Sequence, residues 1–190
     1  MLVSGILLAA GRGRRFDPSG SRNKLLQRLP GGDFVVAASA RRLLSCVSRV
    51  VAVVPPGDGG VADALRALGC EVTVCTEADT GMGASLVHAI HHSLPADGWL
   101  VALGDMPFVQ DATLALLRDA LQDGAGIAVP VSGGQRGNPV AFGARHLDAL
   151  LALGGDEGAR RLLLGHPVVE IEVDDPGIRR DIDTASDLPV

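Results

Sequence analysis

At residues 2–16 the chain reads LVSGILLAAGRGRRF, an apolar run that leads directly into a loop of glycines and arginines. Leu2 to Leu8 is short, apolar and partly β-branched, which predicts a buried strand. The small residues of Ala9 to Gly13 allow backbone N–H groups to approach phosphate oxygens, and the side chains of Arg12 and Arg15 can bind phosphates in bidentate fashion. The stretch therefore predicts a strand followed by an anion-binding loop, and a mobile basic loop is the alternative.

Strand-like runs and helical patterns alternate beyond this stretch. Continuous apolar runs such as VVAVV at 50–54 are typical of strands that are covered on both faces, and the helical segments between them predict βαβ units and a mainly parallel sheet. Ligands bind such sheets beyond the carboxyl ends of the strands. The predicted strands are residues 2–8, 49–54, 71–75, 98–103 and 126–131, and the predicted helices are residues 34–46, 61–68, 86–93 and 112–121.

The pattern becomes irregular after residue 131. A short strand at 138–142 contains Pro139, which predicts an edge position because proline cannot donate a ladder hydrogen bond. Alternation at 168–173 indicates a half-exposed strand, and helices are expected at 146–153 and 157–164. The chain closes with a helical turn that we expect Thr184 to cap.

Composition excludes several classes of protein. The net charge of −5 argues against surfaces that bind nucleic acid or anionic membranes. Three cysteines without a C-x-x-C pair predict neither a disulfide framework nor a zinc site, and His88 and His92 lack a nearby third ligand. Neither a signal peptide nor a membrane-length apolar run is recognised, so we expect a cytoplasmic protein.

A dinucleotide-binding loop is the first alternative for the opening stretch. Its fingerprint is G-x-G-x-x-G with a helix that starts at once. Here Phe16 stands where the third glycine is required, and residues 17–20 read DPSG, which opposes an immediate helix. The sequence therefore disfavours a hydride-transfer enzyme.

Two aspartates and a lysine are candidates for metal and phosphate binding. Asp105 follows the strand 98–103 and is a natural magnesium ligand, although a turn-forming aspartate is the alternative. Asp183 either caps the last helical turn or supplies a second carboxylate, and the residues leave both interpretations open. Lys24 adds a positive charge near the phosphate loop, and we expect its side chain to lie at the surface.

Two glycine-rich segments complete the set of candidates. Gly81, Gly83 and Ser85 stand at a helix start, where free N–H groups and a hydroxyl can bind a ligand; a plain helix cap is the alternative. The charged turns at 136–139 and 155–160 are weak signals by themselves.

Together these motifs resemble the molybdenum cofactor cytidylyltransferase family, within the MobA-like NTP transferase superfamily. Leu8 to Arg15 matches its L-A-A-G-x-G-x-R pattern, Gly104 to Pro107 its G-D-x-P motif, and Asp181 to Thr184 its closing D-I-D-T. The order and distances of the motifs agree from Leu7 to Leu188. Ala10 stands where guanylyl-transferring relatives carry glycine, as it does in the cytidylyl branch.

The resemblance implies a fold and a division of labour. We expect a three-layer α/β/α sandwich with a mostly parallel, Rossmann-like sheet of the nucleotide-diphospho-sugar transferase type. Residues 1–190 would form one domain, with a nucleotide-binding half (1–131) and an acceptor-binding half that includes the C-terminal metal-ligand segment (132–190).

The resemblance also implies roles for the candidate residues. Asp105 and Asp183 would bind Mg²⁺, and Asn138 stands where the family usually carries histidine. The nucleoside would lie by Gly81, Gly83 and Ser85, the acceptor would face Arg136 and Asn138, and the triphosphate would be held by Ala9, Ala10, Gly11, Arg12, Gly13, Arg15 and Lys24.

The implied reaction moves CMP from CTP to the phosphate of molybdopterin or its molybdenum cofactor and releases pyrophosphate. Asp105, Arg15 and Lys24 would be catalytic, because Mg²⁺ and positive charges neutralise the charge that develops on the phosphates. Three alternatives remain: cytidylyl transfer to another phosphate such as methylerythritol phosphate, nucleotidyl transfer to a sugar phosphate, and a non-catalytic cofactor carrier or insertion factor. A molybdenum hydroxylase is the protein partner that the resemblance implies.

Overall fold

The computed structural model describes residues 1–155 and 158–189. In these ranges the chain is a mixed α/β protein with a central eight-stranded sheet. The strands are β1 (Val3–Leu8), β2 (Val50–Val54), β3 (Glu71–Val74), β4 (Gly98–Leu103), β5 (Ile127–Ser132), β6 (Gln135–Arg136), β7 (Val140–Gly143) and β8 (Val169–Glu172). The α-helices are α1 (Val35–Cys46), α2 (Val61–Arg66), α3 (Met82–Ser93), α4 (Asp111–Gln122), α5 (Leu147–Leu151) and α6 (Arg160–Gly165). Single 3₁₀ turns occur at Lys24–Leu26, Ala78–Thr80, Ala144–His146, Pro176–Arg179 and Ala185–Asp187.

The sheet is mostly parallel, as the sequence predicts. Its order is β3-β2-β1-β4-β7-β5-β6, with β8 paired to β5. The strands β1 to β4 are parallel to one another, whereas β7 is antiparallel to both β4 and β5. β6 and β7 pair with successive parts of one side of β5, and the parallel strand β8 pairs with the other side.

Helices cover both faces of the sheet, which explains why its central strands are apolar throughout. All six residues of β1 are buried, and they alternate between two layers of the core. Val3 and Leu7 pack on the side of α1, α2 and α4, whereas Ile6 and Leu8 pack on the side of α3, α5 and α6. The expected three-layer α/β/α sandwich is therefore confirmed.

The predicted elements of the first half agree with the structure except at one helix. α3 begins at Met82, four positions before the predicted Leu86, and its first turn includes Gly83. A Cβ atom on Gly83 would lie 2.9 Å from the carbonyl carbon of Gly154. The glycine at this position therefore lets the loop after α5 pack directly against the first turn of α3.

The prediction of an edge strand at 138–142 is wrong. β7 lies in the interior of the sheet, between β4 and β5. Pro139 immediately precedes the strand, so the missing N–H group of the proline costs no ladder bond. The exposed edge on this side is β8. Three of its four residues are exposed, so the strand is more exposed than the half-exposed strand that the alternating pattern at 168–173 predicts.

The predicted helices of the second half are shorter than expected. The segment 146–153 contains the end of a 3₁₀ turn and then α5. The segment 157–164 overlaps α6, which extends to Gly165, and its first predicted residue, Glu157, lies outside the described residues. Among the described residues, no helix is both long and apolar enough to cross a membrane.

Candidate active site

The carboxyl ends of β1 and β4 form the base of the candidate site. Leu8 pairs with Leu103, and the N–H group of Gly104 donates to the carbonyl oxygen of Leu8 at 2.9 Å. Ala9 lies close beside Gly104, where an added Cβ atom would meet the Cβ atom of Ala9 at 3.2 Å. Small residues at both strand ends thus let the two loops leave the sheet side by side, with Asp105 next along the chain.

Lys24 reaches this edge of the sheet from a short 3₁₀ turn. The side chain of Asn23 caps the turn by accepting from the N–H group of Leu25 at 3.0 Å, and Leu25 is buried. The Lys24 ammonium lies 2.6 Å from Asp105 Oδ2 and 3.3 Å from Asp183 Oδ1. The expectation of a surface lysine is wrong, since Lys24 is 8% exposed and is held by two carboxylates from distant parts of the chain.

The C-terminal segment brings Asp183 to the same place. Ile182 is fully buried, and its N–H group donates to the carbonyl oxygen of Asp105 at 2.9 Å. The last 3₁₀ turn is capped by Thr184 and Asp187, with the Thr184 N–H group 2.6 Å from Asp187 Oδ2. Asp183 is therefore not the cap, and its carboxylate binds Lys24 and the guanidinium of Arg15, the latter at 2.7 Å.

Three carboxylates converge beside Lys24. One oxygen from each of Asp105, Asp181 and Asp183 lies within 4.8 Å of the others. Desolvation, followed by the charges of Asp183 and Asp105, raises the pKa of Asp181. Oxygen ligands from closely spaced carboxylates suit a hard divalent cation, which would also relieve the repulsion among them.

A cavity of about 480 Å³ opens beside this cluster, and we call it the charged cavity. Its lining includes Asp105 and the start of the loop that follows β1, together with the segment that leads into α3. Of the predicted nucleotide-site residues, it brings together Ala10, Gly11, Arg12, Gly81, Ser85 and Asp105.

The other predicted nucleotide-site residues do not line the charged cavity. Lys24 and Arg15 contact the carboxylate cluster, and Ala9 is buried behind the loop. Gly13 has a positive φ of 59°, and an added Cβ atom would lie 3.3 Å from the Cγ atom of Lys24. Gly83 faces the backbone of the loop after α5, so its position is explained by packing.

An ion pair spans the charged cavity. The guanidinium of Arg12 donates through Nε and Nη2 to both carboxylate oxygens of Asp79, which precedes α3. The hydrogen bond and charge of Asp79 raise the pKa of Arg12. Both side chains are about half exposed, so the pair joins two loops through contacts that solvent screens.

A second cavity of about 390 Å³ adjoins the first, and we call it the apolar cavity. Leu8, Met82 and Leu103 line both cavities. Predominantly aliphatic side chains of α3, β4, β5, β7 and α6 form its walls, and the predicted acceptor residues Arg136 and Asn138 lie at it. The turn at 155–160 contributes Gly158, Ala159 and Arg160, whereas Asp156 and Glu157 fall outside the described residues.

The segment that carries these acceptor residues is fixed by the C-terminal part of the chain. The N–H group of Asn138 donates to the carbonyl oxygen of Ile178 at 2.8 Å. A Cβ atom on Gly137 would lie 2.4 Å from that same oxygen, so only glycine fits there. Arg136 forms an ion pair with Glu170 at 2.6 Å.

Sequence reasoning missed four residues of the site. Asp181 had a readable signal, because alternate residues of an extended segment point to the same side and Asp183 is two positions away. Arg14 was passed over within the run of arginines, although it lines the charged cavity. No local pattern distinguishes Asp79 or Met82, whose positions depend on how the segment before α3 folds back.

A family model described as a MobA-like NTP transferase domain matches residues 5–170. The purine catabolism protein PucB of Bacillus subtilis is 30% identical over 201 residues, covering 95% of this chain and 91% of PucB. The bifunctional protein GlmU of Bradyrhizobium sp. (strain ORS 278) is 30% identical over 145 residues, which cover 75% of this chain and 32% of GlmU. The chain thus aligns with about a third of GlmU's length.

Several solved structures are similar to this chain over nearly its whole length. Rv0371c of Mycobacterium tuberculosis has a TM-score of 0.85 at 28% identity, covering 98% of this chain and 95% of that one. Its complex with manganese has a TM-score of 0.81, with 98% and 96% coverage. A nucleotidyl transferase of Methanothermobacter has a TM-score of 0.83 at 28% identity, with 98% and 94% coverage. The chain belongs to the MobA-like NTP transferase family and is a nucleotidyltransferase.

Proposed function

We propose that this enzyme transfers CMP from CTP to the phosphate of a molybdopterin-type cofactor, with Mg²⁺ as the metal and pyrophosphate as the second product. The observation that carries the proposal is the meeting of a charged and an apolar cavity beside one cluster of carboxylates. Leu8, Met82 and Leu103 line both cavities, so two substrates can be bound side by side at the same time.

The charged cavity suits the nucleotide. Ala10 and Gly11 are small, so phosphate oxygens can come close to the backbone of the loop, where N–H groups donate hydrogen bonds. Gly81 and Ser85 line the opposite wall, where we place the nucleoside. The preference for CTP rests on Ala10 and on the GMGAS segment, as in the cytidylyl branch of the family.

The carboxylate cluster suits a divalent cation. Asp105, Asp181 and Asp183 offer oxygens within 4.8 Å of one another, and magnesium typically binds one or two carboxylates together with substrate phosphates. The manganese complex of the similar protein Rv0371c supports a metal of this class. When bound, the metal supplies positive charge to the phosphate oxygens of the donor.

The reaction requires alignment more than acid–base chemistry. An oxygen of the acceptor phosphate attacks the α-phosphorus of CTP, and the bond to the bridging oxygen breaks as pyrophosphate leaves. The acceptor phosphate is already anionic at neutral pH, so no base is needed. The described lining of the two cavities includes carboxylates and arginines but no histidine, which suits this mechanism.

Lys24 and Arg15 are the proposed sources of fixed positive charge. Both bind Asp183 in the structure, and Lys24 also binds Asp105. A cation held rigidly near the reacting phosphates stabilises the transition state without reorganisation. The carboxylates therefore position these two cations as well as the metal.

The apolar cavity favours an acceptor with a sizeable apolar face. Aliphatic walls bind ring systems by burying their apolar surface, whereas a sugar phosphate would bury little apolar surface against such walls. Arg136 and Arg160 at the same cavity supply charges for the acceptor phosphate. This observation favours a molybdopterin-type acceptor over methylerythritol phosphate or a sugar phosphate.

The proposal keeps one domain with a nucleotide-binding half at 1–131 and an acceptor-binding half at 132–190, and α3, β4 and β5 of the first half also contribute walls to the apolar cavity. It also includes a cytoplasmic location and a molybdenum hydroxylase as the recipient of the product. The main non-enzymatic alternative is a cofactor carrier. The presence of the proposed catalytic and metal-binding residues Lys24, Asp105 and Asp183 argues against it.

A pyrophosphate-release assay tests the proposal. The purified chain would be incubated with each of the four nucleoside triphosphates, Mg²⁺, and molybdopterin, methylerythritol phosphate or a sugar phosphate. We expect turnover only with CTP and molybdopterin or its molybdenum form. A clear preference for GTP or ATP, or turnover with another acceptor, would replace the proposed substrate, and binding without turnover would indicate a carrier.

A further inference from the structure

Asp175 is a buried aspartate to which neither the sequence nor the family resemblance gave a role. Its side chain is 1% exposed, and it does not line either cavity. Its Oδ1 atom accepts from the N–H group of Gly177 at 2.9 Å. Its Oδ2 atom accepts from the N–H group of Gln110 at 2.8 Å and from the hydroxyl of Thr113 at 2.6 Å. A buried carboxylate is costly unless it is hydrogen-bonded, and here three donors satisfy it.

Two of these donors belong to the start of α4. Gln110 precedes the helix, and its own side chain does not cap it. Asp175 supplies a carboxylate there from 65 residues further along the chain, and the positive end of the helix dipole favours a negative charge at this place. One side chain therefore joins the loop at 105–110, which we call the β4 loop, to residues 175–183, which we call the C-terminal segment.

The hydrogen bonds of Asp175 close one end of a longer contact between the β4 loop and the C-terminal segment. At the other end, the N–H group of Ile182 donates to the carbonyl oxygen of Asp105 at 2.9 Å. Between these ends, a Cβ atom added to Gly177 would overlap the carbonyl group of Phe108, so only glycine fits. The two segments therefore pass each other in opposite directions and are held together at both ends.

This contact brings the carboxylates of the cluster together. The β4 loop carries Asp105, the C-terminal segment carries Asp181 and Asp183, and one oxygen of each lies within 4.8 Å of the others. Like charges at such distances repel one another, and the ion pairs of Lys24 and Arg15 offset only part of that repulsion. The segments that carry the carboxylates must therefore be fastened by contacts outside the cluster itself.

We propose that Asp175 is a positioning residue for the metal site. By tying the C-terminal segment to the start of α4, it keeps Asp181 and Asp183 beside Asp105 before a metal binds. Without its hydrogen bonds a fraction of the molecules would hold these carboxylates apart, and the apparent Kd for a metal rises as the competent fraction falls. The inference rests on a metal binding at this cluster, as in the proposed function, but it depends on neither the nucleotide nor the acceptor.

Titration with Mn²⁺ alone, followed by electron paramagnetic resonance of the free ion, tests the inference without turnover. Wild type and each variant would be titrated at a temperature at which circular dichroism shows them to be folded. We expect Asp175→Asn to raise the Kd for Mn²⁺ by about tenfold, the smaller end of the loss seen when groups that orient metal ligands are removed.

A pair of variants at Thr113 tests the same hydrogen bond from its donor side. Thr113→Val removes the hydroxyl at nearly constant volume, and we expect the Kd for Mn²⁺ to rise by about threefold. Thr113→Ser keeps the hydroxyl and should bind Mn²⁺ like the wild type. This pair leaves the carboxylate of Asp175 in place, so it gives an answer even if Asp175→Asn does not fold.

Ser93→Ala is the control for loss of a buried polar contact elsewhere. The fully buried hydroxyl of Ser93 accepts from Nε1 of Trp99 at 2.8 Å, near the start of β4, whereas the carboxylate cluster lies beyond the end of that strand. Its melting temperature should fall while its Mn²⁺ affinity stays that of the wild type. If Asp175→Asn and Thr113→Val also melt earlier but bind Mn²⁺ normally, Asp175 only stabilises the fold and the proposal is wrong.

The outcome is distinguishable from failure of the proposed function. If the wild type transfers a nucleotide other than CMP, and the variants of Asp175 and Thr113 weaken Mn²⁺ binding as expected, the substrate assignment fails and the role of Asp175 stands. If CTP and molybdopterin are the substrates but these variants bind Mn²⁺ normally, the role of Asp175 fails alone. If the wild type binds no Mn²⁺, the metal site and the role of Asp175 fail together.

Discussion

The two cavities have similar volumes, about 480 and 390 Å³, yet opposite chemistry. The charged cavity is lined by two arginines and two aspartates, whereas the apolar cavity is walled mainly by aliphatic side chains, together with Arg136, Asn138 and Arg160. They meet at Leu8, Met82 and Leu103. Under the proposed function, the difference means that the nucleotide would be held mainly by electrostatics and the acceptor mainly by burial of apolar surface.

The strongest test of this contrast is Asp105→Asn. Asp105 belongs to the carboxylate cluster, so the variant should bind the catalytic metal poorly, and we expect turnover to fall by about 100- to 1000-fold, the loss seen when one electrostatic contact to a transition state is removed. Steady-state kinetics at saturating Mg²⁺ would measure it. The apolar cavity is untouched, so the KM for the acceptor should hold.

Asp63→Asn on α2 is the control, because Asp63 is exposed and its carboxylate pairs with Arg66 on the same helix. If Asp105→Asn keeps near-normal magnesium-dependent turnover, the metal does not bind at this cluster. The assignment of the two substrates to the two cavities would then also be wrong.

Lys24→Ala should produce the next largest effect. Removing a charged hydrogen bond costs about 1.5–3 kcal/mol, which corresponds to roughly a 10- to 150-fold loss in kcat/KM. The loss should fall mainly in kcat, because the charge on the separating phosphates grows in the transition state.

The burial of Lys24 adds a prediction about stability. Without the ammonium, Asp105 and Asp183 repel each other, so the melting temperature should fall in metal-free buffer. Mg²⁺ should then raise the melting temperature of Lys24→Ala more than that of the wild type. A variant that melts and turns over like the wild type would show that the lysine is idle.

A substitution at the apolar cavity should affect the other substrate. Arg136→Ala removes a guanidinium beside the acceptor, and we expect the KM for the acceptor to rise by about tenfold while CTP affinity is retained. Arg66→Ala is the control for loss of an exposed arginine. A change in CTP affinity with an unchanged acceptor KM would reverse the assignment of the two cavities.

The mildest test changes no residue. Raising the ionic strength from about 0.1 M to about 1 M shortens the screening length from roughly 10 Å to roughly 3 Å. We expect CTP binding to weaken several-fold, whereas acceptor binding, which depends more on apolar burial, should change less. Equal salt dependence of the two affinities in calorimetry would contradict the contrast.

Local pattern predicted the first half of the chain well because each strand and helix there follows from its own periodicity. The apolar strand β1 and the loop of glycines and arginines after it lie where the sequence places them. The second half was harder, since β7 is held between two strands by long-range pairing, and a short run containing Pro139 gives no local sign of that. The early start of α3 was missed for a similar reason, because Gly83 reads as a loop residue until the chain packed against it is known.

The sequence determined the α/β class, the family and the identity of Lys24, Asp105 and Asp183 as candidates, because these depend on short motifs. Only the tertiary structure decided what they do to one another. Lys24 is separated from Asp105 by 81 residues and from Asp183 by 159, so neither its burial nor its pairing can be read from neighbouring residues. The sequence leaves Asp183 open between a cap and a metal ligand. In the structure Thr184 and Asp187 form the cap, and the carboxylate of Asp183 binds Arg15 and Lys24 instead. Charge pairing and burial depend on distances through space, and distances through space are set by packing of the whole chain.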